Sequence, residues 1–216
     1  MESRRTADSG SKSGTVARTE AFSDAVTAII ITIMVLELKA PVLEGTMQSD
    51  FDFSFLYSLA PKFLAYLISF AFIATAWFNH VSSMRRLNHA APLLLWFNVL
   101  YLFSLSLLPW ATAFVGDHPT LPQAVALWGL ATTMVYFTGC ILLTWHIDKL
   151  DDHLVPAWIK RRNISATVLM ALSVPLAFMS VYVAWFVIIA TVLFCGLPFK
   201  IQMQIFSSKS DRLARS

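Results

Sequence analysis

Arg18, Phe22, Ser23 and Asp24 lead into an uncharged apolar run, Ala25 to Leu36, which closes on Glu37-Leu38-Lys39. A cation and a carboxylate at the mouth of such a run could bind an ion, relay a proton or lock one helix to another. On transfer scales an aspartate at a helix centre costs roughly 2.5–3.5 kcal/mol, while each Val, Ile or Leu returns only about 0.3–0.6. Asp24 therefore roughly cancels the insertion energy of its own helix. A group that expensive is kept near the interface or against protein partners, and it marks a candidate functional site. Trp77, Asn79 and His80 form a second polar group, with Trp77 and His80 on one helix face as an i,i+3 pair. A third group, His146-Ile-Asp148-Lys-Leu-Asp151-Asp152-His153, offers nitrogen and oxygen donors to a metal. Its spacing fits no zinc or calcium pattern, and it reads as a solvated loop whose acids balance Lys160, Arg161 and Arg162. The sequence thus predicts no metal and no cofactor. It offers no nucleophile, base or metal cluster at a membrane interface, which argues against an enzyme.

The elements that hold these residues follow from composition. Of 216 residues, 57% are hydrophobic and 13% charged, with a mean hydropathy of +0.65. The apolar residues come in blocks near the ~20 needed to cross a bilayer, so the chain reads as an all-α polytopic membrane protein. One transmembrane domain, 18–206, holds six expected spans: 19–38, 54–81, 93–115, 122–145, 164–182 and 184–199. The second span starts near Pro61 if that proline lies in its opening turn, and the turn between the last two is placed near Val181 to Trp185. Residues 1–17 read as a disordered cytoplasmic tail and 207–216 as a second tail. A signal-peptide reading of the N-terminus fails, because Arg18 to Asp24 interrupts the pattern and Pro41 follows the small-residue site.

With the N-terminus inside, six spans put 14 of the 16 Lys and Arg on the inner side, leaving Lys39 and Lys62 outside. That partition predicts cytoplasmic termini. Glu37 then sits at the outer mouth, ahead of Glu44, Asp50 and Asp52. A net charge of +3 is too small and scattered to argue for nucleic acid. Lys160-Arg161-Arg162 and Lys200, Lys209, Arg212 and Arg215 are explained by topology and by anionic inner-leaflet lipid. Cys140 and Cys195 fall inside spans, where a small buried side chain is expected.

At about 100° per residue, Phe22, Val26, Ile29, Ile33 and Leu36 form one narrow stripe on the first helix. Thr32 borders the stripe, and Asp24 lies on the opposite face. The stripe could pack on a neighbouring helix or on lipid, with Asp24 a helix-start residue at the interface. It could also surround a symmetry axis in an oligomer, where rings of Ile29, Ile33 and Leu36 would gate by dewetting, with Thr32 hydroxyls at their edge. Arg18 and Asp24 are six residues apart and poorly placed to pair along one helix. Their partners are expected on other helices, with Trp77, Asn79 and His80 at the matching membrane level.

Arg18-x-x-x-Phe22-Ser23-Asp24, followed by the helix ending Leu36-Glu37-Leu38-Lys39, resembles the signature of the transmembrane protein 175 family of potassium channels, in its short prokaryotic branch. Trp77-Phe-Asn-His80 with Arg85-Arg86, and Leu108-Pro109-Trp110-Ala-Thr112-Ala-Phe-Val-Gly116, are similar to further stretches of that family. Val81 departs from it, standing where many members carry a second histidine. The resemblance implies a homotetramer in membrane lipid whose first helix lines a central potassium pore. Ile29 would be the main constriction, Thr32 the adjoining hydroxyl layer, and Ile33 and Leu36 further positions on the stripe. Arg18, Phe22, Ser23 and Asp24, with Trp77, Asn79 and His80, would hold the first helix. Rival functions are a proton-coupled transporter using Asp24 and His80, and a non-conducting scaffold.

Overall fold

A computed structural model describes residues 14–38, 54–85, 87, 91–142, 144–145, 147 and 155–196, with the side chains of 54–58 and 142 outside the description. The described residues are mostly helical, with short turns between the helices and no strand among them. They form α1 (Gly14–Met34), α2 (Ser54–Met84), α3 (Pro92–Ser106), α4 (Leu108–Asp117), α5 (Pro122–Val135), α6 (Ala157–Met179) and α7 (Val181–Gly196). Five helical stretches are long and apolar enough to cross a membrane: Gly14–Glu37, Leu59–Met84, Pro92–Asp117, Pro122–Ile141 and Ala157–Met179. Helix α7 stands where the sixth span is expected but has only 16 residues, or about 24 Å of rise.

Several boundaries differ from the sequence expectation. Helix α1 begins at Gly14 rather than 19, so part of the expected tail is helical. Pro61 lies inside α2, not in an opening turn. The third span is broken at Leu107, because Pro109 carries no N–H and its ring crowds the Leu105 carbonyl one turn earlier. Pro92 and Pro122 begin α3 and α5 at positions where the N–H would be unpaired anyway. The fourth span passes from α5 into a π-helical turn, Tyr136–Leu142, where the Thr138 hydroxyl donates to the Met134 carbonyl at 2.7 Å. Helix α6 begins at Ala157, so Lys160, Arg161 and Arg162 are helical rather than part of a loop. It ends where Ser180 turns extended (φ −158°, ψ 114°), just ahead of the turn expected at Val181 to Trp185. The expected spans beyond Gly196, the acidic residues Glu44, Asp50 and Asp52, and the 146–153 group apart from Ile147 lie outside the described residues.

Helix α1 turns a face spaced by threes and fours toward the bundle: Val16, Ser23, Thr27, Ile30 and Met34, all buried. It packs on α2 and α3, while α2 also packs on α4 and α7, and α6 on α5 and α7. Helices α1 and α2 run antiparallel, since Asp24 meets Trp77 near one end while Met34 and Glu37 share a small pocket with Lys62 near the other. That second end is tied by a 2.6 Å ion pair between Lys62 and Asp117.

The middle of the bundle is aromatic around one serine. Ser69 Oγ accepts from Thr112 Oγ1 at 2.8 Å and from Trp128 Nε1 at 2.9 Å, and Trp128 and Tyr136 both meet Phe72 edge to face. Gly116 lets α4 close on α2, where an added Cβ would meet Lys62 Cα at 3.4 Å. Thr112→Val keeps the shape at this junction but removes a buried donor, at a cost of about 1 kcal/mol. The expected drop in the detergent melting midpoint is about 2–4 °C. Both cysteines are free and buried.

Candidate functional site

The end of the bundle bearing Arg18 to Asp24 is held by a chain of side-chain hydrogen bonds. Ser23, 1% exposed, donates to the Thr19 carbonyl at 2.8 Å and receives Asn98 Nδ2 at 2.9 Å. Asn98 Oδ1 lies 2.8 Å from His80 Nε2 and 3.2 Å from Ser23 Oγ, so one buried amide ties α1, α2 and α3 together. The His80 ring stacks on Tyr101 with centroids 4.8 Å apart and planes 3° from parallel. Trp77 Nε1 donates to Asp24 Oδ1 at 2.8 Å, which answers the carboxylate with a charge-assisted bond from α2. Trp77→Phe removes that donor at a half-exposed site, where such a bond is worth about 1 kcal/mol. The expected midpoint shift is about 2–4 °C downward, checked against Asp24→Asn, which should shift it less.

These contacts separate the residues grouped by the sequence. Ser23 and Asp24 reach α3 and α2, His80 reaches Ser23 through Asn98, and Trp77 takes Asp24 directly. Asn79 turns the other way, its Oδ1 accepting from Arg162 Nη2 of α6 at 2.9 Å. Arg18 and Phe22 project outward and line an open groove with Thr15, Thr19, Leu95, Asn98 and Val99. Asp24 and His80 each have their own partner, and no direct bond joins them.

The stripe on α1 faces away from its own chain's core. Phe22, Ile29, Ile33 and Leu36 are 58%, 56%, 42% and 70% exposed, whereas Val26 at the stripe's edge is half-buried against the core. Thr32 is exposed and turns its hydroxyl back to the Ala28 and Ile29 carbonyls at 3.1 and 2.9 Å. Glu37 ends the helix at the far end, half-buried beside Lys62 and Asp117. Helix α1 therefore has a back bonded to α2 and α3 through Ser23 and Asp24 and an apolar front at Ile29, Ile33 and Leu36 that stays largely exposed among the described residues.

Two buried residues of this end, Asn98 and Tyr101, went unmarked in the sequence, and a third, Arg162, was assigned another role. Asn98 is the lone amide within the apolar run of α3, a signal of the same kind as Asp24. Tyr101 follows it by three positions. Arg162, read as an inner-face charge for topology and lipid, is instead 8% exposed and bonded to Asn79 and to Asn163 Oδ1 at 2.9 Å. Asn163 Nδ2 in turn donates to the Cys140 carbonyl and Thr144 Oγ1, both at 3.2 Å. The i,i+1 Arg-Asn pair carries no periodic signal that would separate it from Lys160 and Arg161. Among the described residues no cluster of His, Cys, Asp or Glu could hold a metal.

Residues 18–109 match the family model described as the endosomal/lysosomal potassium channel TMEM175. Over 128 residues the chain is 42% identical to a potassium channel of Chryseobacterium sp. (strain P1-3), covering 59% of this chain and 63% of that one. It is 35% identical over 111 residues to the endosomal/lysosomal proton channel TMEM175 of Rattus norvegicus, covering 49% of this chain and 20% of the rat protein. The chain thus spans less than two thirds of the length of these curated relatives. Its fold superposes on the crystal structure of a lysosomal potassium-selective channel TMEM175 homolog from Chamaesiphon minutus with a TM-score of 0.74 and 26% identity, covering 84% of this chain and 96% of that one. The sequence match falls on the helices that carry the Ser23–Asn98–His80 chain, the fold match takes in most of the rest, and over these stretches the chain is similar to the TMEM175 family.

Proposed function

We propose that the chain is one subunit of a homotetrameric potassium channel, with six spans, cytoplasmic termini and α1 lining the central pore. The observation that carries this reading is the two-sided α1. Its polar back is bonded to its own chain through Ser23 and Asp24, while Ile29, Ile33 and Leu36 stand exposed on its front. A symmetric assembly around that front would set Ile29 as the main hydrophobic ring, Thr32 as a hydroxyl layer beside it, and Ile33 and Leu36 as further rings. Such constrictions gate by dewetting and need no cofactor. Glu37 would draw cations to the outer mouth; Arg18, Phe22, Trp77 and His80 would keep the helix in register with its neighbours, while Asn79 ties α2 to α6. The potassium channels among the relatives support the choice of ion.

Purified protein in planar bilayers should give single-channel potassium currents, and a membrane that stays silent at high protein load contradicts the reading. Animal relatives named as proton channels make proton conduction the second reading. Vesicles reporting potassium and internal pH together separate the two. A proton-coupled transporter, by contrast, would show saturating flux that Asp24→Asn abolishes.

A further inference from the structure

A small cavity lies where α2, α3, the π-helical turn and α6 meet, lined among others by Asn79, His80, Ser83, Tyr101, Gly139 and Asn163. It leaves about 10 Å³ for the centre of a water molecule, close to the least that holds one. Two buried polar atoms without a hydrogen-bond partner among the described residues, Asn79 Nδ2 and Tyr101 Oη, belong to residues of this lining. Both residues are more than nine-tenths buried. Buried polar groups are costly to leave unpaired, so a native bundle is expected to pair them.

We propose that this cavity binds one water molecule, which joins the α1 anchor to the buried arginine of α6. The chemistry of the wall selects water over an ion. Arg162 donates to Asn79 Oδ1, which fixes the amide so that its NH2 group is the unpaired side. An NH2 donor with a guanidinium bonded to the same amide disfavours a cation, and the space is too small for a hydrated anion. The water accepts from Asn79 Nδ2 and exchanges a hydrogen bond with Tyr101 Oη. Ser83 Oγ, which donates to the Asn79 carbonyl at 2.9 Å, keeps lone pairs free to receive a water proton. Three partners is the usual number for a buried water.

The π-helical turn makes the room. At Gly139 an added Cβ would stand 2.5 Å from Tyr101 Cδ2 and 2.6 Å from Cε2, so only glycine lets the tyrosine ring lie beside the turn and stack on His80. With the water in place, the Ser23–Asn98–His80 chain and the Asn79–Arg162 pair meet through Tyr101, whose ring stacks on His80 and whose hydroxyl holds the water. The site is independent of which ion the pore passes.

The test is a structure of the full chain resolved to about 2 Å or better, read together with the melting midpoint of Tyr101→Phe. A single density peak within hydrogen-bonding distance of Asn79 Nδ2 and Tyr101 Oη is expected. Tyr101→Phe keeps the ring and its stack but deletes one water partner, so its midpoint should fall by about 2–4 °C. A dry cavity predicts the reverse, because deleting an unpaired buried hydroxyl is neutral or stabilising. An empty cavity, side chains that pair these two atoms directly, or a Tyr101→Phe midpoint at or above that of the wild type would each overturn the proposal.

Discussion

Ile29→Asn should lower the potassium-over-sodium permeability ratio about tenfold while raising total conductance. In the proposed tetramer, four isoleucines around the axis would exclude water until an ion sheds part of its shell, and an amide ring would remove that barrier for every cation. A tenfold change corresponds to about 1.4 kcal/mol of discrimination between the ions. Under bi-ionic conditions it moves the reversal potential by about 59 mV, the slope for a monovalent charge. Ile29 is 56% exposed within its own chain, so the substitution touches little of the subunit core and the variant should assemble. Thr32→Ala, one helical step away, should change conductance less, since its hydroxyl already spends its proton on backbone carbonyls.

Asn98→Leu should be the most destabilising single change at the anchored end. Asn98 is 2% exposed and bonds both Ser23 and His80, and leucine leaves the ring nitrogen of His80 unpaired in a buried site. Ser23 keeps its bond to the Thr19 carbonyl, so the loss falls mainly on His80 and on the link between α1 and α3. A cost of roughly 2–3 kcal/mol follows. The melting midpoint should drop by about 4–12 °C. Replacing both partners, Asn98→Leu with His80→Phe, removes the unpaired nitrogen and should recover part of that loss. A double variant no more stable than Asn98→Leu would place the cost elsewhere than in the hydrogen bond.

Much of this arrangement is legible in the chain before any coordinates. Long apolar blocks announce membrane helices, and Asp24 in such a block announces a partner, found at Trp77. Helical spacing alone separates the stripe of Ile29, Ile33 and Leu36 from the carboxylate, and the exposures on α1 follow that division. Other features escape because they depend on what packs where. The position of Pro109 marks a place where the third span can break but not whether its neighbours tolerate the break. The π-helical turn at Tyr136–Leu142 has no periodic signature. Arg162 looks like Lys160 and Arg161 in sequence, and only the start of α6 at Ala157 turns it inward toward Asn79 while they stay closer to the surface. Asn79 and His80, adjacent in sequence, bond different helices for the same reason: neighbours on a helix are about 100° apart and reach different partners.

Thiol accessibility along α1 tests the pore assignment most directly. Single cysteines at Ile29, Ile33 and Leu36 can be compared with one at Leu193, which is 66% exposed on α7. The two native cysteines are buried and serve as the unreacted background. A water-soluble thiol reagent applied during bilayer recording should block current through the Leu36→Cys, Ile33→Cys and Ile29→Cys channels and leave Leu193→Cys untouched. If the α1 cysteines carry full current after reagent treatment, the apolar front of α1 faces lipid and the ion passes elsewhere.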